Sequence, residues 1–197
     1  MFPVYYVIVE YFNENYLNVG YHINYYMELI ELQDADLPKF KRVLQESFQH
    51  GYENVYGKCE ELILPEKDID ECLNKENTHV YAMKSNQDML GGVIIEINEK
   101  TQHNELCFLF VSTSSQNKGI GQKIWEEIES LYPNTKIWET CTPYFDKRNI
   151  HFYVNKLGFH IVEFLNEKNP EPDWDKDHPM RDEEMFRFEK IMENSFH

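Results

Sequence analysis

The chain has 197 residues, 42% of them hydrophobic and 15% aromatic, and a formal net charge of −16. That length supports one well-buried core and is short for two. With 35 acidic against 19 basic side chains and no basic cluster, a duplex-binding surface is excluded. No apolar run is long enough to span a bilayer, and the acidic field favours cationic partners such as amines. Cys59, Cys72, Cys107 and Cys141 are far apart, with no CxxC pair. Reduced thiols in a cytoplasmic protein are therefore expected, with Cys141 as a buried one.

Residues 1–26 hold seven of the thirteen tyrosines and no lysine or arginine. They read as an extension outside the domain, either upstream of a native start at Met27 or adding an edge strand through VYYVIVEYF. The domain itself is read over 27–197. A short strand follows Met27. Asp36 as N-cap and Pro38 in the first turn then open a helix. Its Leu37, Phe40, Leu44 and Phe48 share one face, and Gly51 is expected to end it. A shorter helical pattern surrounds Ile69, Cys72 and Leu73.

HVYAMK, MLGGVIIEI and ELCFLFVS read as three antiparallel strands. The next helix buries Ile120, Ile124, Ile128 and Leu131 and turns Gln122, Glu126 and Glu129 outward. The strand TKIWETCT leads to a helix capped by Asp146, whose Ile150, Tyr153, Val154 and Leu157 share a face before Gly158. FHIVEFL and EMFRFEKIM are the last strands, with a polar loop between them. This order predicts an α/β (α+β) fold: a mixed, mostly antiparallel twisted sheet with helices on both faces.

The stretch QNKGIG sits where a strand passes into a helix. A dinucleotide fingerprint requires a third glycine where Ile124 stands, and a Walker A loop needs four residues between its glycines, where this loop has one. What remains is Q-x-x-G-x-G, with amides from Lys118 to Gln122 at a helix N-terminus that favours an anion. Lys118 and Lys123 add positive charge there.

The pattern Gln116, Asn117, Lys118, Gly119, Ile120, Gly121 resembles the pyrophosphate-binding signature of the GNAT N-acetyltransferase family. NIHFYVNKLGF resembles the family's second hallmark, FYxxxGF, with one residue more between Tyr153 and Gly158. The order of elements from Met27 to Met192 and the Gly91-Gly92 strand fit as well. The resemblance implies a GNAT-like fold in which two parallel strands, FLFVS and IWETC, splay apart around acetyl-CoA as cosubstrate. The cofactor would be held by Val111, Ser112 and Thr113, by the loop from Gln116 to Gln122, and by Asn149. Thr113 stands where the family often has proline, and Asp146 where it often has asparagine.

The same resemblance implies that Tyr153 is the acid for the departing thiolate. Glu105, eleven residues before Gln116, would be the general base, with Glu139 as the fallback. Strand alternation places Glu105 on one face with Cys107, Leu109 and Val111. Counting back from Gly158 with the family's spacing lands on Val154, and one helical step turns a side chain by about 100°.

The implied activity is direct acetyl transfer to a primary amine, a small molecule or a protein lysine or N-terminus. The rival is a non-catalytic acyl-CoA-binding sensor with the same fold. In DWDKDHPMRDEE the sixth position of a calcium-loop template is His178 instead of glycine, so no metal is expected. Asp173, Asp175 and Asp177 in that loop would attract a cationic acceptor. The last strands are the expected surface for a homodimer.

Overall fold

The computed structural model describes residues 26–170 and 184–192. The N-terminal extension, Tyr26 apart, and the acidic loop with Asp173, Asp175 and Asp177 lie outside these residues. Strand β1 (Glu28–Glu31) leads into helices α1 (Leu37–Tyr56) and α2 (Glu66–Leu73). Strands β2 (Thr78–Ser85), β3 (Asp88–Glu96) and β4 (His103–Val111) form a meander. Helix α3 (Ile120–Leu131) crosses to β5 (Ile137–Pro143). Helix α4 (Lys147–Phe152) continues as a π-turn over Tyr153–Leu157, and β6 (His160–Leu165) and β7 (Met185–Ile191) follow. The seven strands pair in the order β1-β2-β3-β4-β5-β7-β6. Every neighbouring pair is antiparallel except β4 and β5, which are parallel.

Alternation along β3 feeds two cores. Val93 and Ile95 join Ile124, Trp125, Ile128, Trp138, Tyr153 and Phe188 on the α3 face. Ile94 joins Phe40, Leu44, Ile69 and Phe110 under α1 and α2. Full burial of each such side chain contributes about 1.5–3 kcal/mol. The glycine pair in β3 makes both layers close: a Cβ on Gly92 would lie 2.4 Å from Phe40 Cε2, and one on Gly91 would lie 2.4 Å from the Phe110 carbonyl oxygen. No helix among the described residues is long and apolar enough to cross a membrane.

Four local expectations are corrected. Helix α1 runs through Gly51 to Tyr56 and ends at Gly57, whose φ is 86°. The interior glycine costs about 1 kcal/mol, and the turns beyond it gain ring contacts of Tyr52 and Tyr56 with Phe145. Asp36 does not cap α1 through its side chain; its carboxylate accepts from Lys84 Nζ at 2.6 Å. Leu131, at the last position of α3, is exposed. Cys141 is exposed as well, because no β5 side chain joins the cluster under α1 and α2.

Candidate active site

Strands β4 and β5 pair only at His103↔Ile137, Asn104↔Trp138 and Glu105↔Glu139. Beyond that they diverge: among the described residues the β4–β5 pairing does not continue past Glu105, and the Val111 carbonyl accepts from Ser47 Oγ at 3.1 Å. The vertex of this V is fixed by Thr140 Oγ1, which donates to the Leu106 carbonyl at 2.8 Å in a buried position.

A bulge explains the divergence. Ile94 of β3 faces Phe108 and Ile95 faces Leu106, so Cys107 is an extra residue that increases local twist and bends β4 away. The bulge also corrects the face assignment. Cys107 and Phe108 pack against the α1–α2 cluster, the side on which Glu105 meets Lys75. Leu109 and Val111 pack against the α3 cluster, opposite Glu105.

From the end of β4 the chain passes Ser112 and a 3-10 turn over Thr113–Ser115, and Gln116 is extended. Asn117 and Gly119 take left-handed conformations, with φ of 63° and 75°, which set the turn into α3. Gly119 brings no side-chain cap, so the amides of Ile120, Gly121 and Gln122 have no intrahelical acceptor and carry the positive end of the helix dipole. A Cβ on Gly121 would lie 3.1 Å from Phe152 Cζ and 3.4 Å from Val111 Cγ2. A glycine there lets α3, β4 and α4 meet behind the loop.

Lys118 Nζ donates to the Ser114 carbonyl at 3.1 Å, and Lys123 lies 3.9 Å from Glu127. From the other arm of the V, Arg148 Nη1 donates to Gln116 Oε1 at 2.7 Å. The sequence pattern had not singled out Arg148.

The extra residue between Tyr153 and Gly158 is absorbed by the π-turn. The Tyr153 carbonyl accepts from Gly158 N–H and from Phe159 N–H at 3.0 Å. Tyr153 and Leu157 are the buried residues of this turn, while Val154 is half-buried. Burial pushes the Tyr153 pKa above the ordinary tyrosine value, an effect that the neighbouring Thr140 side chain at the vertex partly offsets. Asn149 is fixed by its backbone N–H, which donates to Asp146 Oδ1 at 2.9 Å. Asp146 is thus occupied as a helix cap.

The two carboxylates proposed as bases meet at the closed end of the V, where Glu96, Asn98, His103, Asn104, Glu105 and Glu139 line a cavity of about 180 Å³. Both are engaged. Lys75 Nζ lies 3.3 Å from Glu105 and 3.0 Å from Glu96. Burial pulls the Lys75 pKa down, but these carboxylates outweigh it and hold the ammonium charged. Glu139 sits 3.0 Å from His103 Nε2 and 3.3 Å from Arg187 Nη1.

His103, Glu139 and Glu189 bring three metal-type donors within 4.8 Å of one another, a grouping invisible in sequence spacing. The Arg187 guanidinium already supplies a cation there, 3.7 Å from Glu189. At the open end, Tyr52 and Tyr56 of α1 contact Phe145 beyond β5, with ring centroids 5.5 and 5.2 Å apart. They tie the two arms together on the α1 face.

The profile of the acetyltransferase (GNAT) family matches residues 39–159. The chain belongs to this family. Among individual proteins, an uncharacterised protein of Bacillus subtilis strain 168, YrkN, is 42% identical over 172 residues, covering 83% of this chain and 93% of its own. The GNAT fold is shared with the ribosomal-protein-S18-alanine N-acetyltransferase of Escherichia coli. The TM-score is 0.63 at 15% identity, over 87% of this chain and 98% of that one. It is shared too with the PaiA N-acetyltransferase of Thermoplasma acidophilum, solved in complex with coenzyme A. There the TM-score is 0.62 at 20% identity, over 84% and 99% of the two chains.

Proposed function

We propose that this GNAT protein transfers an acetyl group from acetyl-CoA to a primary amine by direct attack in a ternary complex. The observation that carries the reading is the splay of β4 from β5. It exposes a length of β4 main chain that starts at a vertex holding the Tyr153 hydroxyl and ends at the uncapped N-terminus of α3. An unpaired strand edge suits the amides of a pantetheine arm, and free helix amides suit a diphosphate. Acetyl-CoA supplies an acyl group on a thiol leaving group.

The chain's own residues then have separable tasks. Val111, Ser112 and Thr113 offer backbone groups along the arm, and Gln116 to Gln122 face the phosphates. A β4 backbone N–H beside the vertex meets the negative charge that grows on the carbonyl oxygen. Tyr153, kept protonated by burial, donates toward the departing sulfur. Glu105, with Glu139 as the alternative, receives the proton of the attacking ammonium directly or through water, because an alkyl amine with pKa near ~10.4 is protonated at neutral pH. Either carboxylate must loosen its present ion pair to do so.

The test is thiol release from acetyl-CoA with a panel of acceptors: small mono- and polyamines, a lysine peptide and a peptide with a free N-terminus. Amine-dependent release above the no-amine rate is expected for at least one class. Binding of acetyl-CoA without release by any amine would replace the enzyme by the sensor reading.

A further inference from the structure

We propose that Arg148 is a cofactor-binding residue of this cleft, whose guanidinium exchanges the Gln116 side chain for oxygens of the CoA diphosphate. The inference rests on the reading of the cleft as a CoA site. Arg148 is the second residue of α4, yet its Nη1 lies 2.7 Å from an atom 32 residues earlier, at the first position of the glycine loop. The guanidinium therefore reaches from the β5 arm across the V to the start of the glycine loop.

Its partner there is neutral. Arg148 has no carboxylate within 4.0 Å among the described residues, whereas Arg187 is surrounded by Glu139, Glu163 and Glu189 and Arg42 lies beside Glu46. In a chain of net charge −16, an arginine left with an amide oxygen holds an unspent charge at the place where a diphosphate is expected.

The neighbouring groups are compatible. Lys118, on the same loop, donates likewise to a neutral carbonyl, with no carboxylate within 4.0 Å among the described residues. Lys147, next to Arg148, is turned away to the Tyr144 carbonyl and ring. The carboxylate at the N-cap of α4, Asp146, accepts from the Asn149 N–H. A guanidinium binds phosphate by parallel charge-assisted hydrogen bonds stronger than one to a neutral amide, so the exchange from Gln116 is favourable. The bond seen here keeps the two arms in register until the phosphates arrive.

The experiment is calorimetric binding of CoA, dephospho-CoA and pantetheine to the full chain and to Arg148→Ala and Arg148→Lys. Arg148 is exposed, and thermal melts check that the variants fold. Arg148→Ala is expected to weaken CoA and dephospho-CoA alike, by roughly ten- to a hundredfold, the scale of a lost charged hydrogen bond. Pantetheine should be unaffected, and Arg148→Lys should recover part of the loss.

Unchanged CoA affinity in Arg148→Ala overturns the proposal. An equal loss for pantetheine assigns Arg148 a structural role and also overturns it. A loss for CoA but not dephospho-CoA moves the guanidinium to the 3′-phosphate and rejects the diphosphate assignment. A wild-type chain with no affinity for any of the three would instead remove the CoA reading itself.

Discussion

Tyr153 joins a polar contact at the vertex to aromatic contacts in the core. Its hydroxyl sits at the vertex beside Thr140, while its ring packs between Phe159 and Phe188, with centroids 5.8 and 5.5 Å away. Tyr153→Phe keeps the ring and removes the donor. Turnover in the thiol-release assay should fall tenfold or more, with acetyl-CoA affinity nearly intact; unchanged turnover would remove the acid role. Two glycines make a matched pair at the same scale. Gly92→Ala drives a Cβ to 2.4 Å from Phe40 Cε2 and 2.9 Å from the Tyr81 carbonyl oxygen. Because that second neighbour is backbone, a loss of about 2–3 kcal/mol is expected, at the top of the overpacking range. Gly51→Ala meets open space inside α1 and should gain about 0.5–1 kcal/mol. Urea midpoints at constant slope read both.

Two elements carry the site, and each departs from regularity where the chemistry is expected. The β4 bulge at Cys107 ends the pairing with β5 and opens the V. The π-turn over Tyr153–Leu157 takes up one residue between α4, whose start is fixed by the Asp146 cap, and β6. Insertions of this kind leave both flanks in place when the added residue points to solvent, as Asn155 and Lys156 do. Deleting Lys156 should therefore return the turn to α-helical pairing, hold the melting temperature within a few degrees and preserve turnover. A collapse of turnover with a folded chain would mean that the π-turn itself aims Tyr153.

Across the whole molecule, two half-buried phenols and one buried one contribute to acid–base behaviour at high pH. Tyr81 and Tyr132 share a hydrogen bond at 2.8 Å, and burial raises the pKa of both, as it does for Tyr153. The folded state holds these protons at pH values where the unfolded chain has released them. Stability is therefore intact below the ordinary tyrosine value near ~10 and falls as pH climbs above it toward the folded values. Melting temperature should be flat through neutral pH and drop above about pH 10, and Tyr132→Phe should make that drop shallower. A wild-type melting temperature that stays flat above pH 10 would rule out this linkage.

The sequence by itself determined the parts that local physics sets. Gln116–Gly121 was legible because a strand-to-helix turn needs left-handed residues, and Asn117 and Gly119 supply them. The α3 stripe except Leu131, the meander and the splayed parallel pair followed from periodicity, element order and the family pattern. What the tertiary structure alone decided concerns partners distant in sequence. The bulge at Cys107 exists only in register with Ile94 and Ile95, so strict alternation put Leu109 and Val111 on the wrong face. The continuation of α1 past Gly51 depends on Phe145, almost a hundred residues later. Lys75, His103 and Arg187 became the companions of Glu105 and Glu139, and Arg148 reached Gln116, through contacts that no spacing rule encodes. Local conformation is a property of neighbours along the chain, whereas charge pairing and strand register are properties of neighbours in space, and the candidate site is built mostly from the latter.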